Sequence, residues 1–388
     1  MYDYDVVVIG GGAAGMACAT CLSKNCNVNV ALIEAGERLG KKLSVTGNGQ
    51  GNVSNTHMAA EHYHGSVAAL AEKIVCSDKD IYKNLFNCIF TADEKGRVYP
   101  SGRQASSLTD SLNYTLKKQG VSISLFTQVI DIRKLNGDFV LELSDSRSVS
   151  SRFVVICTGG KAQPVYKGLS PYALAEKTGH RTTGLYPSLV QLKTETTHIK
   201  TLKGLRSECL VTAIVDEKKS AVSRGDVIFT EYGVSGNAVF SVSPAFADKP
   251  GELSIEFLPD VSAELIKNDI DNKKELGYEQ SELLSGTVHN QIGRAIIRRA
   301  NSLDSDKIVS ILKNFKLKVT GTLGFSYAQV TRGGISINEI TENLESKIVS
   351  NLFFAGEILD IDGDCGGYNL QWAFSSGVYI AKMILKRL

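Results

Sequence analysis

Residues 3–34 read DYDVVVIGGGAAGMACATCLSKNCNVNVALIE. The β-branched run Val6–Ile9 has the composition of a strand buried on both faces, as parallel sheets require. It runs directly into three glycines, a helix of small residues from about Ala13, and a second apolar run that ends at Glu34. This predicts a βαβ unit with Gly10, Gly12 and Gly15 in G-x-G-x-x-G spacing and an acid nineteen residues past the last glycine. Gly10 permits the tight turn, Gly12 lets a pyrophosphate approach the backbone, and Gly15 lets helix and strand pack closely. The helix start, including Ala13, offers free N–H groups and a partial positive charge to phosphates. Glu34 can accept hydrogen bonds from ribose hydroxyls, and its charge disfavours a 2′-phosphate. An ADP-ribose is therefore expected here. A G-x-G-x-x-G alone would mean little; strand, helix and acid all in place make it specific.

The next segment, Leu43–Asn55, packs three glycines and three asparagines into LSVTGNGQGNVSN. No hydrophobic core needs that composition, since glycine costs backbone entropy. It holds no cysteine pair, which excludes the chemistry of flavin-dependent disulfide reductases. A coil of this kind, flanked by Lys41, Lys42 and Thr46, can present N–H groups to an anion and lie flat against a ring system. The whole chain has 388 residues, which at about 150 per domain predicts two or three domains. With 43 Lys+Arg against 41 Asp+Glu the net charge is +2, giving no reason to expect a polyanion as main partner. No apolar run approaches the roughly 18 residues of a membrane span. Nothing resembles a leader before the first strand. The eight scattered cysteines suit reduced thiols better than a disulfide framework, so a cytoplasmic setting is expected.

Further along, an amphipathic helix is expected from about Gln104. A β-meander follows over VSISLFTQVIDIRKL, the turn Asn136-Gly137, DFVLELS and RFVVICTGG. A meander crossing a Rossmann sheet and ending in Thr158-Gly159-Gly160 is the layout of FAD domains. In that layout a strand residue near Val129 is expected to meet the adenine through its backbone, and Thr158 and Gly159 to cover the ribityl chain. From about Tyr186 short alternating strands predict a small β-rich domain, and from Ser262 to about Lys318 the spacing becomes helical. Arg294, Arg298, Arg299, Lys307, Lys313, Lys316 and Lys318 in that part read as a solvated face balanced by Asp304 and Asp306. Near the C-terminus a buried strand Leu352–Phe354, Gly356-Glu357 and a glycine-rich turn lead into a long helix. Its start at Gly366–Asn369 can point N–H groups at the negative N1–C2=O edge of a reduced flavin. The domains expected are residues 1–186 with 322–388 as an FAD-binding domain, 187–261 as a β-rich insert and 262–321 as a helical one.

Nearly end to end, the chain resembles the YhiN-like, BaiN-type family of FAD-dependent oxidoreductases, also called the aminoacetone oxidase family. The likeness rests on GGGAAG, KKLSVTGNGQGNVSN, GRVYPSGRQAS, FTEYGVSGNAVFS, GFSYAQVTRGGIS and FFAGEILDIDGDCGGYNLQWAFSSG. It implies an α/β fold, a Rossmann-like FAD domain of the glutathione-reductase type with an inserted β-barrel and helical pair. The implied FAD contacts are Gly10, Gly12, Ala13, Gly15, Glu34, Lys42, Thr46, Gly49, Asn52, Val129, Thr158, Gly159, Gly356, Glu357, Asp362, Gly367, Asn369 and Gln371. Where most relatives read Gly-Arg-Cys-Asn, this chain has Gly49-Gln50-Gly51-Asn52, so any role of that Arg or Cys is absent here. The implied reaction is reduction of a carbon–carbon double bond conjugated to a ketone, on a steroid- or bile-acid-like small molecule, with NADH or NADPH visiting the flavin. The alternative is oxidation of aminoacetone or an amino acid by dioxygen, and RNA modification ranks behind both, with nucleic acid disfavoured as partner. Tyr232 in FTEYG, Arg332 in TRGG and Tyr368 are the candidate catalytic groups. The histidines and Cys18-x-x-Cys21 show no metal-ligand spacing, so no metal is expected.

Overall fold

The computed structural model describes residues 2–164, 170–247 and 249–388. Two compact units divide the chain, one formed by Met1–Leu185 with Val330–Leu388 and the other by Tyr186–Gln329.

The first unit is built on a seven-stranded sheet. Its strands are β1 (Tyr4–Ile9), β2 (Val30–Ile33), β3 (Ser122–Ser124), β4 (Val129–Leu135), β5 (Asp138–Leu143), β6 (Ser148–Ile156) and β7 (Leu352–Phe354). The order is β3-β2-β1-β6-β5-β4, and β7 also pairs with β6. The strands β3, β2, β1, β6 and β7 run parallel, with Ile9 level with Ile33 and Ile156, and Ile156 level with Phe354. Their carboxyl ends therefore share one edge of the sheet. That edge collects Gly10, Glu34, Cys157 and Ala355, the segments a parallel α/β sheet uses for its ligand. The inner halves are covered on both faces: Val6–Val8, Val154–Ile156 and Leu352–Phe354 are fully buried. Phe353 and Phe354 each stabilise the unit by about 2–3 kcal/mol through burial alone.

The helix α1 (Ala13–Leu22) has no polar face to speak of, and Ala14 to Thr20 are all buried. It packs against the long C-terminal helix (Tyr368–Leu385) at backbone distance. A side chain at Gly377 would lie 2.3 Å from the Ala14 carbonyl oxygen and 3.2 Å from the Cys18 nitrogen. Small residues on both helices permit that approach. The expected helix after Gln104 is present as Ala105–Lys118, with Gln104 as its N-cap residue. The hairpin turn is also where expected: Asn136 (φ 53°) and Gly137 (φ 94°) both take the left-handed conformation that matches strand twist. The meander, however, breaks. Ser122–Ser124 pairs in parallel with β2 at the sheet's edge, while Val129–Leu135 pairs antiparallel with β5. Between them Phe126 turns to φ 51°, and the N–H groups of Phe126 and Thr127 bond to Gly36 and Glu34 carbonyls. Uninterrupted alternation in the sequence hid that break.

In the second unit six strands close into a barrel in the order 192–194, 233–235, 218–229, 206–215, 251–256 and 315–322. Its core includes Val211, Phe229, Leu253, Ile255, Phe315 and Leu317. Helices Ala263–Glu275, Asn290–Ala300 and Ser305–Lys313 come before the last strand, so the chain returns to the barrel after its helical excursion. Helical spacing was expected as far as about Lys318. Instead FKLKVTGT alternates Phe315, Leu317 and Val319 inward against outward lysines. Several cations of this unit bind partners within it: Arg294 to Glu282 (2.7 Å), Lys313 to Glu256 (2.7 Å) and Lys316 to Glu252 (2.8 Å). The Arg299 guanidinium lies over Phe315 and donates to the Lys316 carbonyl. No helix among the described residues is long and apolar enough to cross a membrane.

Candidate active site

At the carboxyl edge of the sheet each glycine of the first motif has a distinct environment. Gly10 sits at φ 101°, and a side chain there would press to 2.5 Å from the Cys157 carbonyl oxygen. A side chain on Gly15 would lie 1.9 Å from the Gly10 carbonyl oxygen, so turn and helix touch backbone to backbone. Gly12 is the reverse case: a side chain would meet nothing within 4 Å. The N-terminus of α1 therefore opens onto vacant volume where Gly12 stands, with Ala13 as its first helical residue. A turn, a close contact and an open approach are what a dinucleotide pyrophosphate requires. Glu34, 8% exposed, accepts N–H bonds from Gly11 (2.6 Å) and Gly36 (2.7 Å), which hold its carboxylate beside the glycine loop. These residues fit an ADP-ribose moiety.

The loop after Lys42 is wound by positive φ angles at Gly47 (58°), Asn48 (54°), Gly49 (81°) and Gly51 (77°). Its N–H groups at Gly49, Gln50 and Gly51 bond back to carbonyls of Val45, Thr46 and Gly47 rather than forming an outward nest. Consecutive tight turns consume those donors locally. A side chain at Gly49 would meet nothing within 4 Å, so the loop has an open face there; at Gly51 it would meet Leu108 and Ala105 of the neighbouring helix. Thr46 donates to Leu43, and Asn52 donates to the Ser54 and Val98 carbonyls, which ties the loop to the strand Arg97–Pro100.

Beyond β6, Gly159 takes φ 74° and Thr158 donates to the Pro171 carbonyl. Glu357 reaches the same place from the end of β7, where its carboxylate accepts the Thr331 N–H (2.8 Å). Gly356 is clamped on both sides by the C-terminal helix: its N–H donates to Ser376 and its carbonyl accepts from the Trp372 indole. Arg332 follows Thr331 and is half-buried.

The glycine-rich turn carries a constellation that the sequence reading overlooked. Strand pairing of Asp362–Gly363 with Tyr63–His64 places Asp364 between two imidazoles. Oδ2 meets His62 Nδ1 and Oδ1 meets His64 Nε2, both at 2.9 Å. The His62 ring stacks on Tyr368 with centroids 4.3 Å apart. Asn369 closes the turn by accepting from the Gly363 N–H and donating to its carbonyl, both at 2.8 Å. The hydrogen bond to Asp364 raises the His64 pKa against the opposing effects of burial and the Arg332 charge. Burial pushes Asp364 up, but hydrogen bonds to His64 and His62 outweigh it and leave the carboxyl below its usual range. Burial first, then Asp364 and Glu61, push the Tyr368 hydroxyl up to about 12. The available signal was H-x-H in HYHG, since alternate strand residues share a face. No group of three or more His, Cys, Asp or Glu among the described residues could hold a metal ion.

These shifts fix a pH signature. A His whose folded pKa is raised adds stability below its ordinary value of about 6.5 and loses it as pH rises through the raised one. A carboxylate whose folded pKa is lowered adds stability above its ordinary value of about 4 and loses it on acidification. Asp364→Asn is therefore expected to lower Tm most near pH 5.5 and least near pH 8.5. His64 and Asp364 are 41% and 44% exposed, so solvent screening limits the effect to at most about 1 kcal/mol, or about 2–4 °C. Thermal scans at the two pH values check this, and an equal loss at both contradicts it.

Of the other expected contacts, Val129 is a buried strand residue, Asp362 is 1% exposed, and Gly367 caps the C-terminal helix at φ 103°. Gln371 is fully buried and turns its amide N–H groups to the Asp78 and Lys79 carbonyls on another flank of the helix. Tyr232 belongs to the second unit, where its carbonyl accepts from Thr194 in the barrel.

A model of the HI0933-like protein Rossmann domain matches residues 4–383. The chain is 28% identical over 405 residues to a 3-dehydro-bile acid delta(4,6)-reductase of Clostridium scindens, covering 98% of each. It is 30% identical over 396 residues to a ribosomal RNA dihydrouridine synthase of Escherichia coli, covering 97% of this chain and 96% of that protein. A protein of the same description from Haemophilus influenzae is 27% identical over 416 residues, covering 98% of each.

Proposed function

Because the chain belongs to the HI0933-like Rossmann-domain family of FAD-dependent oxidoreductases, we propose that it reduces a carbon–carbon double bond conjugated to a carbonyl, drawing electrons from NADH or NADPH. The observation that carries this reading is chemical. A bile-acid delta(4,6)-reductase and a dihydrouridine synthase bear names for different substrates, yet both names describe saturation of a ring double bond, and in both rings that bond is conjugated to a carbonyl.

FAD, when bound, supplies the hydride. The remaining work falls to the chain. Gly12 and the start of α1 receive the pyrophosphate, with Glu34 on the ribose, Lys42, Thr46, Gly49 and Asn52 along the loop, Val129 at the adenine, and Thr158, Gly159, Gly356, Glu357 and Asp362 near the ribityl chain. Gly367 and Asn369 set the start of an 18-residue helix whose positive end favours charge on the ring system. Gln371 takes part by fixing that helix. Arg332 and Tyr368 are the groups proposed to face the substrate carbonyl. A hydroxyl with a pKa pushed up to about 12 stays protonated and can donate a hydrogen bond to an oxygen gaining charge.

A small molecule is favoured as substrate because cations of the barrel unit such as Arg294, Lys313 and Lys316 already bind carboxylates. The eight cysteines, none of them in a disulfide, support a cytoplasmic setting. The test is an anaerobic titration of the flavin-loaded protein with NADH and then NADPH, following the long-wavelength flavin band. Bleaching followed by recovery on adding a 3-oxo-Δ4 steroid is the expected result. Recovery with uridine-containing ribosomal RNA and not with the steroid would instead make RNA the substrate. No bleaching with either nicotinamide, together with peroxide formation from amines in air, would overturn the reading in favour of an oxidase.

A further inference from the structure

We propose that His64, held by Asp364 and backed by His62, delivers the proton that completes reduction of the double bond. This assignment rests on the reading above and adds a residue to it. Three observations carry it.

The first is rigidity. Asp364 is fixed by its own N–H, which donates to the His62 carbonyl (3.0 Å), and by pairing of residues 362–363 with 63–64. Each carboxylate oxygen holds one imidazole, so neither ring is free to rotate away. The second is polarity of the rings. His64 meets Asp364 through Nε2, which leaves its Nδ1 on the opposite side, and among the described residues that nitrogen has no hydrogen-bond partner. The third is placement. Asp364 lies three residues before the glycine that caps the C-terminal helix, and Arg332, the other cation proposed to face substrate, is close enough for its charge to act on His64. The side chains of His62, His64 and Asp364 are 26%, 41% and 44% exposed, so water can reload the pair.

The charged and titratable groups around His64 come from four elements. The 3-10 turn Ala60–His62 just before its strand brings His62 and Glu61, the paired segment after Ile361 brings Asp362 and Asp364, the strand Val330–Arg332 brings Arg332, and the helix brings Tyr368. Carboxylates outnumber the guanidinium, so the surroundings of His64 favour its protonated form. A staple that only held the turn would not need a ring with an open nitrogen and access to water.

The step balances as follows. A hydride from the reduced cofactor, carrying two electrons, bonds to the β-carbon of the conjugated system. The π electrons move toward the carbonyl and give an enolate. The Nδ1–H bond of protonated His64 then breaks, its electron pair stays on nitrogen, and the proton bonds to the α-carbon. His64 is left neutral, Asp364 stays anionic throughout, and solvent returns the proton.

The test uses the full flavin-loaded chain and two variants, His64→Gln and Asp364→Asn, with flavin content and Tm recorded for each. Stopped-flow mixing separates reduction of the flavin by NADH or NADPH from its reoxidation by a 3-oxo-Δ4 steroid. Reduction is expected to stay within about twofold in both variants. Reoxidation by the steroid is expected to fall about 100-fold in His64→Gln, the usual scale for losing a general acid. The wild-type reoxidation rate should fall as pH rises through the His64 pKa, and that dependence should vanish in His64→Gln. In Asp364→Asn the inflection should move down toward about 6.5, and NMR titration of the His64 imidazole should show the same movement independently of turnover. A His64→Gln enzyme reoxidised at the wild-type rate, with the wild-type pH profile, overturns the assignment and leaves the reductase reading standing. A wild-type enzyme that nicotinamide reduces but no conjugated carbonyl compound reoxidises overturns both.

Discussion

Gly12→Val is expected to yield a folded protein that purifies without a yellow colour. The substitution is sterically free within the protein, since no atom lies within 4 Å of the new Cβ. The backbone also accepts it, because Gly12 has φ −80° and ψ −171°, an extended conformation open to any residue. The only cost to the fold is a poorer helix N-cap, about 1 kcal/mol and a few degrees in Tm. The volume the side chain fills is the approach to the first N–H groups of α1. FAD affinity should therefore fall by at least about 100-fold, equivalent to about 2.7 kcal/mol. The comparison variant is Gly15→Val, whose side chain would collide with the Gly10 carbonyl at 1.9 Å and must damage fold and flavin together. The measurement is the ratio of flavin absorbance to protein absorbance beside a thermal scan of the flavin-free form. A yellow Gly12→Val protein would mean that the pyrophosphate does not lie over this helix.

The second large effect is on stability. Gly377→Val places two methyl groups and a Cβ where the Ala14 carbonyl oxygen is only 2.3 Å away and the Cys18 nitrogen 3.2 Å. Backbone cannot give way as a flexible side chain can, so the C-terminal helix must move off α1. Overpacking of this kind costs about 3 kcal/mol, or about 8 °C for a unit of this size. The displaced helix also carries Trp372 and Ser376, which clamp the Gly356 peptide, so flavin retention should weaken with stability. The barrel has its own hydrophobic core and should keep its unfolding transition. Calorimetry distinguishes the outcomes: one lowered and one unmoved transition is expected, and an unchanged trace would contradict the close packing.

The parts of this molecule legible in sequence are those where one residue type answers one backbone demand. Gly10, Gly12 and Gly15 meet three different steric conditions, and the hairpin at Asn136-Gly137 needs two positive φ angles in a row. The strand, turn and helix at the C-terminus were equally plain, because Leu352–Phe354 is uniformly apolar and the helix after Gly367 is long. What was hidden depends on contacts between distant residues. Asp364 lies 302 and 300 positions from His62 and His64, and a two-residue strand pair brings it to them. The amide of Gln371 is spent on carbonyls at 78 and 79, a partnership no local pattern signals. The strand Phe315–Thr322 was masked by lysines that in a helix-rich neighbourhood pass for one helical face. The break at Phe126 was hidden because alternation alone does not say where a strand ends.

The discontinuity of the first unit also sets an order of events during synthesis. β6 ends at Ile156, and the strand it pairs with, β7, begins at Leu352. At about 5–20 residues per second, the ribosome needs about 10–40 s to supply that partner. Throughout that interval the newborn parallel sheet lacks the partner of Val154–Ile156 on one flank of β6, and lacks the helix that covers α1. All the strands of the barrel emerge within the same interval, together with its helices and core. The segment interrupting the nucleotide-binding unit can thus be finished before the unit it interrupts.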